Sequence, residues 1–358
     1  MNLMSSMIVN RYCFVIDYDA NYIFPIERLE WHMLGRVYFR VNEEKLMSIT
    51  RNQRADLFML FITLIWSGTF VIIKNALDDV PPFLYTGLRF ALASLIGYAL
   101  WFRSIHGITK KELWQGSVLG LFFGLGFLSQ TWGLQHTSVA NSSFITGSMA
   151  IFTPIAAFLI DGRTVTKYQA IGIFTVLLGL AFFSQHGLDD WQFNIGDMAT
   201  LFCAVMWGMY ITYTDTFMRD AEDIAASSAR LTFIQFIISC IFAFAGSLLL
   251  EGPISEMPNL IQHAFASSDF WVALLYTAIL ASIVATYIQT RYQHETSPVK
   301  AALMFSTEPV TATLLAVMVG VETLSIEKFF IGAIVICGVL IAQAEDIFPS
   351  LKTYNQDS

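Results

Sequence analysis

The sequence predicts an all-α integral membrane protein whose ten transmembrane helices form two inverted five-helix repeats. Three observations predict this fold class. The 358 residues are 55% hydrophobic and only 13% charged, about half the charged fraction of roughly 25% that is usual for soluble domains. Long apolar stretches with few charges recur along the chain. The two halves of the chain also resemble each other at a fixed offset.

Ten stretches after residue 55 are apolar over about the 20 residues that a helix needs to cross the hydrocarbon core. They cover 57–77, 83–102, 113–134, 139–160, 168–184, 195–217, 224–249, 270–290, 298–319 and 326–343. The fifth and tenth stretches are short, so their boundaries are the least well defined. Little sequence remains for a soluble domain.

Basic residues predict the orientation, because cytoplasmic loops carry an excess of Lys and Arg. With the start of the first helix in the cytoplasm, the cytoplasmic ends and loops collect Arg51, Arg54, Arg103, Lys110, Lys111, Arg163, Lys167, Arg219, Arg291, Lys300 and Lys352. The outer loops hold Lys328 and several acidic residues. We therefore expect both termini in the cytoplasm and the protein in a bacterial inner (plasma) membrane.

The first 46 residues differ from the rest, with five basic and six acidic residues and no long apolar run. Met47 precedes an ordinary basic lead-in to a first helix. The codons of Glu43, Glu44 and Lys45 are purine-rich, as in a translated ribosome-binding site. Residues 1–46 are thus expected to be an over-long gene start, the alternative being a cytoplasmic extension. Residues 346–358 are predicted to form a cytoplasmic tail.

An internal repeat relates 55–185 to 195–345. Asp56 matches Asp197 and Trp66 matches Trp207, both at an offset of 141 residues. The same offset sets Lys74 opposite Asp215, and Arg89 opposite Arg230. Because each repeat has an odd number of helices, the second must enter the membrane from the opposite side. Inverted repeats are typical of secondary transporters, whose site lies near the membrane midplane.

Five segments carry a resemblance to a known family. They are "LIWSGTFVIIK" from 64, "PPFLYTGLRF" from 81, "NSSFITGSMAIFTPIAAFLI" from 141, "GDMATLFCAVMWGMYI" from 196 and "STEPVTATLLAVMVGVETLS" from 306. In their order and spacing the chain resembles the drug/metabolite transporter superfamily, in its ten-helix EamA-like family. The resemblance implies two five-helix bundles around a central cavity and transport without ATP hydrolysis. It also implies export of amino acids, other metabolites or drugs.

The chain departs from a symmetric pattern at one point. Thr153-Pro154 stands in the fourth predicted helix where the ninth has Glu308-Pro309. A mechanism that needs a carboxylate in both halves is therefore in doubt.

Glu308 is the deepest ionisable residue of the predicted spans. Such residues cost roughly 2.5–3.5 kcal/mol on insertion scales and are functional candidates by default. One interpretation is that Glu308 contacts substrate, or takes up and releases a proton that is coupled to substrate movement. The other is structural, in which Glu308 bonds a neighbouring helix or satisfies backbone groups freed by Pro309.

Four further charged residues are candidates for gates or binding. Arg89 is interpreted as a gate or scaffold residue, as a partner of a substrate carboxylate, or as a side chain that snorkels to the interface. Lys74 could pair with Asp78 one turn later. Asp215 could pair with Arg230 as an inner gate.

Trp66 and Trp207 are predicted to line the cavity, because an indole N–H at the midplane needs a polar partner; aromatic packing is the alternative. The candidates for polar lining are Ser142, Ser143, Thr146, Gln130, Gln235 and Gln289, which are equally suited to helix–helix contacts. Pro154 and Pro309 are expected to kink matching helices. Gly116, Gly120 and Gly124 share one helix face and predict a close helix contact.

Several classes of chemistry have no motif in the chain. The sequence holds no Walker A motif, no H-E-x-x-H and no G-x-S-x-G, and no basic stripe for nucleic acid. The sequence predicts a transporter and not an enzyme, with no cofactor or metal. The expected partners are a small-molecule substrate, the lipid bilayer and protons, in a monomer or homodimer. The alternatives are an uptake permease, or a non-transporting membrane sensor or enzyme.

Overall fold

The computed structural model describes residues 50–185, 194–252, 255, 257–318 and 326–348. Within these ranges every regular element is helical. The segment 1–46, for which we expect an over-long gene start, lies outside the described residues. So does most of the predicted tail.

In the first half of the chain, the described residues 50–185 form seven helices. They are α1 (Arg51–Ser67), α2 (Thr69–Ala76), α3 (Pro82–Ile105), α4 (Lys110–His136), α5 (Val139–Gly147), α6 (Met149–Asp161) and α7 (Lys167–Gln185).

The described residues of the second half form helices that are interrupted more often. They are α8 (Ile195–Arg219), α9 (Ile224–Leu250), α10 (Met257–Ala266), α11 (Ser268–Leu275), a π-helical stretch (Tyr276–Val284), α12 (Ala285–Tyr292), a 3-10 turn (Gln293–Glu295), α13 (Pro298–Phe305), α14 (Glu308–Met318), α15 (Ile326–Ala342) and α16 (Ala344–Ile347).

Seven helical stretches of the described residues are long and apolar enough to cross a membrane. They are Arg51–Ala76, Pro82–Ile105, Lys110–His136, Asn141–Asp161, Ile195–Arg219, Ile224–Leu250 and Ser268–Glu295. Seven of the predicted spans are thereby matched. The other three fall on α7, on α13 with α14, and on α15, and their crossing of the membrane stays a prediction.

Local sequence signals set where the long helices begin. Thr109 caps α4, and its Oγ1 accepts from the Glu112 backbone N–H while the Glu112 carboxylate accepts from the Thr109 N–H. Asn194 and Asp197 form the same reciprocal pair at the start of α8. Each pair satisfies two backbone donors that a helix N-terminus otherwise leaves free.

The glycine face of α4 makes the predicted close helix contact, with α9 as its partner. A Cβ on Gly116 would lie 2.7 Å from Ile234 Cβ, and one on Gly120 would lie 2.6 Å from Ile238 Cβ. One on Gly124 would lie 3.1 Å from the Ser239 Cα. Only glycine therefore permits this approach of the two helices.

Polar contacts show which helix ends lie together. At one end, called the Arg54 end, Arg54 Nη2 lies 2.6 Å from Glu295 Oε1. At the opposite end, called the Lys74 end, the Lys74 ammonium donates to the Leu134 carbonyl at 2.5 Å. Helix α4 runs from the Arg54 end to the Lys74 end, with Glu112 in its first turn and Leu134 in its last.

Candidate functional site

Four helix interruptions lie about halfway between the two ends in the part of the chain that the structure describes. One falls at Gly68 between α1 and α2, and one at Ser148 between α5 and α6. A third falls at Ser306 and Thr307 between α13 and α14. The fourth is the π-helical stretch Tyr276–Val284. Interrupted helices free backbone groups for other contacts and often mark functional sites.

Two of these interruptions are joined by reciprocal hydrogen bonds. Trp66 Nε1 donates to the Ala281 carbonyl at 3.0 Å, and the Tyr276 hydroxyl donates to the Ile65 carbonyl at 2.8 Å. Gly68 allows this approach, because a Cβ there would lie 3.0 Å from the Tyr276 hydroxyl oxygen. The break of the first span is thus held against the π-helical stretch.

The other two interruptions also meet. Ser306 Oγ donates to the Gly147 carbonyl at 2.6 Å, which joins the α13–α14 break to the α5–α6 break. The hydroxyls of Ser67 and Thr311 are in hydrogen-bond contact, so α14 is also tied to α1. The four interruptions therefore form one contiguous region.

A narrow cavity with about 20 Å³ of free space lies within this region. It is lined by Trp66, Thr69, Phe70, Phe127, Gln130, Thr146, Met149, Trp207 and Glu308. The Trp66 and Trp207 ring centroids lie 5.8 Å apart, and Gln130 Nε2 donates to Thr146 Oγ1 at 3.1 Å. An apolar, aromatic wall with a few polar groups is typical of small-molecule sites.

Among the described residues that line the cavity, only Glu308 has an ionisable side chain. It is the first residue of α14 and is 5% exposed. No basic side chain within the described ranges forms an ion pair with it. A carboxyl in such a place is costly when charged, so its charge state should depend on what occupies the cavity.

The break in one of the two matching spans lies directly before its proline, as the sequence predicts, whereas the break in the other lies six residues before its proline. The first is the break at Ser306, before Pro309, and the second is the break at Ser148, before Pro154. Pro309 is the second residue of α14, where a helix loses no backbone hydrogen bond to proline. Pro154 lies inside α6.

Arg89 is fully enclosed behind the cavity wall. Its side chain is 1% exposed, so the prediction that it snorkels to the interface is wrong. Its Nε donates to Ser282 Oγ at 2.9 Å, and its Cζ lies 4.3 Å from the centroid of the Phe127 ring. Its Nη2 has no hydrogen-bond partner among the described residues.

A layer of packed rings closes the cavity toward the Arg54 end. This aromatic layer consists of Phe90, Phe123, Phe127, Trp207 and Tyr210. Centroid distances are 4.7 Å for Phe123–Phe127, 5.1 Å for Phe127–Trp207 and 5.1 Å for Phe123–Tyr210. Most of these contacts are tilted or edge-to-face, the favoured arrangement of aromatic pairs.

Asp215 forms part of an ion-pair cluster at the Arg54 end. Its Oδ2 lies 2.6 Å from Arg163 Nη2 and 2.7 Å from Arg219 Nη2. Asp161 contacts the same two arginines. The loop that follows α6 brings Arg163 across to Asp215, helped by the left-handed backbone of Gly162 (φ 66°).

The predicted Asp215–Arg230 pair is wrong. Arg230 Nη1 lies 3.0 Å from Glu112 Oε1, and its Nε donates to the Ser104 carbonyl at 2.8 Å. The capping of α4 places the Glu112 carboxylate against α9, so Arg230 finds its partner there.

Lys74 does not pair with Asp78 either. Its ammonium donates to the carbonyls of Leu134 at 2.5 Å and Thr137 at 3.0 Å. The last carbonyls of α4 have no partner inside the helix, so they attract a cation.

Four of the six polar candidates lie outside the cavity wall, namely Ser142, Ser143, Gln235 and Gln289. Ser143 is buried in α5 at 3% exposed. Gln289 is fully buried in α12, where its Nε2 donates to Gln293 Oε1 at 2.8 Å. Gly68, Tyr276, Ser282 and Phe127 were not among the predicted site residues. Of these four residues only Gly68 could have been recognised from the sequence, because a glycine two residues after Trp66 in an apolar helix indicates a possible break.

Comparison with known families decides the identity. The model of the EamA-like transporter family matches residues 53–185 and, a second time, residues 194–343. The chain belongs to the EamA-like transporter family. The family resemblance read from the sequence motifs is thereby confirmed, and the protein is a membrane transporter.

Named relatives of this EamA-like protein agree with that assignment. An uncharacterized transporter of Archaeoglobus fulgidus is 29% identical over 80% of the chain and 85% of its own length. The uncharacterized inner membrane transporter YedA of Escherichia coli K12 is 24% identical over 82% and 92%. A solved crystal structure shares the fold, with a TM-score of 0.64 and 19% identity over 82% of this chain and 97% of that one.

No metal centre accompanies the cavity in the ranges described. Their His, Cys, Asp and Glu side chains include no group of three or more placed to hold a metal ion.

Proposed function

We propose that this EamA-like protein is a secondary transporter that exports a small metabolite, amino acid or drug across a bacterial inner membrane. The cavity is its substrate site, and Glu308 is its coupling residue. The observation that carries this proposal is the placement of Glu308. Its carboxyl is 5% exposed, belongs to an interrupted helix and lines the same cavity as Trp66 and Trp207.

Inverted repeats are part of the proposal, with ten membrane crossings. Its support lies in the two matches to one family model and in how the helices pack. The first span contacts α12, α13 and α14, which belong to the eighth and ninth predicted spans. Its counterpart α8 contacts α4, α5 and α6, which belong to the third and fourth. A two-fold axis in the membrane plane exchanges these two sets.

The Arg54 end is proposed to face the cytoplasm, since the predicted positive-inside loops lie there. Three groups of ion pairs join helices at that end. They contain the pairs Arg54–Glu295, Arg230–Glu112 and Arg163–Asp215. At the Lys74 end the described contact of this kind is His263–Asp79 at 3.9 Å, which is an ion pair only when His263 is protonated. This asymmetry supports a conformation closed on the cytoplasmic side, with the cavity nearer the outside.

Proton coupling follows from the chemistry of a lone carboxyl in an aromatic cavity. In the closed cavity the protonated form avoids the cost of an unpaired buried charge. Water that enters from one side lowers the cost of the carboxylate, so the proton can leave to that side. A cationic group of a substrate would compete with the proton for Glu308. Arg89, with its one unpartnered Nη2, is proposed to interact with an anionic group of the substrate.

Export is tested by mass spectrometry of the growth medium. Cells that produce the parent chain are compared with cells that produce Glu308→Gln at equal membrane abundance. The matched control is Asp269→Asn, which neutralises an exposed acid outside the cavity. We expect a metabolite to accumulate outside with the parent and the control, and far less with Glu308→Gln. The export proposal is overturned if the metabolite content of the medium is the same for all three chains and for cells without the protein.

A further inference from the structure

A cluster of buried polar side chains lies between the aromatic layer and the Arg54 end. This polar cluster consists of Tyr210 and Thr214 of α8, Gln235 of α9, and Thr286 and Gln289 of α12. All five residues are 0% exposed.

The order of residues along α8 places the cluster. Trp207 lines the cavity, Tyr210 and Thr214 follow it in the chain, and Asp215 lies in the ion-pair cluster. The polar cluster therefore begins where the aromatic layer ends, and it continues toward the cytoplasmic ion pairs.

Side chains from three helices converge there. The Tyr210 phenol lies near the side chains of Thr214, Gln235 and Thr290, but none of these side chains has the geometry of a hydrogen bond to it. Thr290 Oγ1 in turn lies 3.4 Å from Thr232 Oγ1 of α9, which fixes α12 beside α9.

A glutamine chain closes the cluster at its cytoplasmic side. Gln289 Nε2 donates to Gln293 Oε1 at 2.8 Å, and Gln293 Nε2 donates to the Ile211 carbonyl at 2.6 Å. These bonds use the Gln289 amide nitrogen and leave its carbonyl oxygen for another partner.

The cluster holds more hydrogen-bonding groups than the protein satisfies. Among the described residues no partner exists for Tyr210 OH, Thr214 Oγ1, Thr286 Oγ1, Gln289 Oε1 or either polar side-chain atom of Gln235. Buried polar groups in proteins are almost always hydrogen-bonded, to protein or to ordered water. The cluster offers both donors and acceptors and contains no charged side chain, which suits a small neutral ligand.

We propose that the polar cluster is an internal water-binding site, separated from the cavity by the aromatic layer. Water is the smallest neutral group that can both donate and accept, and one molecule satisfies two to four such groups. With water bound there, hydrogen-bonding groups would extend from the aromatic layer to the cytoplasmic ion pairs. The place of this site on a transport path rests on the function proposed above, whereas its hydration does not.

Radiolytic hydroxyl-radical labelling of the purified protein tests the proposal, because X-ray pulses make radicals from bound water and oxidise adjacent side chains. Tyr85 is the matched control. It is also 0% exposed, but its hydroxyl already bonds with Thr277 at 2.8 Å and Ala273 at 3.2 Å. We expect mass spectrometry to show Tyr210 oxidised several-fold faster than Tyr85. Equal protection of the two tyrosines would overturn the proposal.

Two variants show whether the oxidation comes from this site. Gln235→Leu removes two unpartnered polar atoms and Thr286→Val removes one, both with little change in shape. Each should lower Tyr210 oxidation toward the level of Tyr85 and leave Tyr85 unchanged. If Tyr210 oxidation stays at the parent level in both, general opening of the bundle is the source and the proposal fails. Labelling needs no substrate, so its outcome is independent of the export experiment.

Discussion

Trp66 and Ala281 are joined across the centre of the molecule, with the indole Nε1 3.0 Å from the carbonyl oxygen. The Ala281 carbonyl lies in the π-helical stretch, and Trp66 lies two residues before the break at Gly68. Tyr276 returns a hydrogen bond to Ile65. The cavity wall is therefore positioned by bonds between two interrupted helices from different halves of the chain.

Removing this indole N–H should loosen the bundle. Trp66→Phe keeps an aromatic ring but leaves the Ala281 carbonyl without its side-chain donor, at a cost of about 1–3 kcal/mol for a buried group. Trp271→Phe is the matched control, because the Trp271 N–H bonds the Phe265 carbonyl at an exposed site. Thermal unfolding in detergent should show a clear fall in midpoint for Trp66→Phe and a smaller one for the control. Equal shifts would contradict the role assigned to Trp66.

The glycine contact between α4 and α9 should tolerate no added methyl group. In Gly120→Ala the new Cβ would meet Ile238 Cβ at 2.6 Å, and overpacking of this kind costs about 1–3 kcal/mol. In Gly126→Ala the nearest atom would lie at 3.6 Å, which is ordinary contact. The unfolding midpoint should therefore fall for Gly120→Ala and change little for Gly126→Ala. A larger loss for Gly126→Ala would show that the contact is wrong.

Asp215 should matter more for stability than Glu295, although both form ion pairs at the Arg54 end. The Asp215 side chain is 1% exposed and serves two arginines, whereas Arg54 is 44% and Glu295 15% exposed. Glu295→Gln should cost about 1 kcal/mol or less, as exposed pairs do. Asp215→Asn should cost more, but less than the roughly 3–5 kcal/mol of fully buried pairs, because both arginines are partly exposed. Urea or thermal unfolding of the two variants in detergent checks the order, and the reverse order would refute it.

Arg89 should be sensitive to the shape of its side chain as well as to its charge. Lysine keeps the charge, but it loses the planar guanidinium that lies over Phe127 and bonds Ser282 through Nε. We therefore expect Arg89→Lys to lower export at equal membrane abundance nearly as much as Arg89→Gln does. Full export by Arg89→Lys would mean that charge alone is needed. Full export by both would remove Arg89 from the substrate path.

Much of the fold could be predicted from the sequence because each long helix carries its own signal. The length of the apolar stretches predicts α3, α4, α8 and α9, and the four-residue glycine spacing predicts a close helix contact of α4, although not that α9 is its partner. In each case neighbouring residues hold the information.

The partners of the charged residues could not be predicted in the same way. Asp215 and Arg230 do not face each other in the structure. The loop after α6 brings Arg163 to Asp215, and the cap of α4 brings Glu112 to Arg230. The π-helical stretch also has no local breaker residue, and it is positioned by bonds from Trp66 and Tyr276. Such features depend on contacts between distant parts of the chain.

The central claim is that Glu308 couples proton movement to export, and transport in vesicles tests it most directly. Inside-out membrane vesicles containing the parent chain or Glu308→Gln are given the metabolite that accumulates in the growth medium, with and without an imposed pH gradient. The account predicts that the gradient accelerates uptake by the parent and leaves the residual uptake by Glu308→Gln unchanged. Equal acceleration of both chains by the gradient would contradict it.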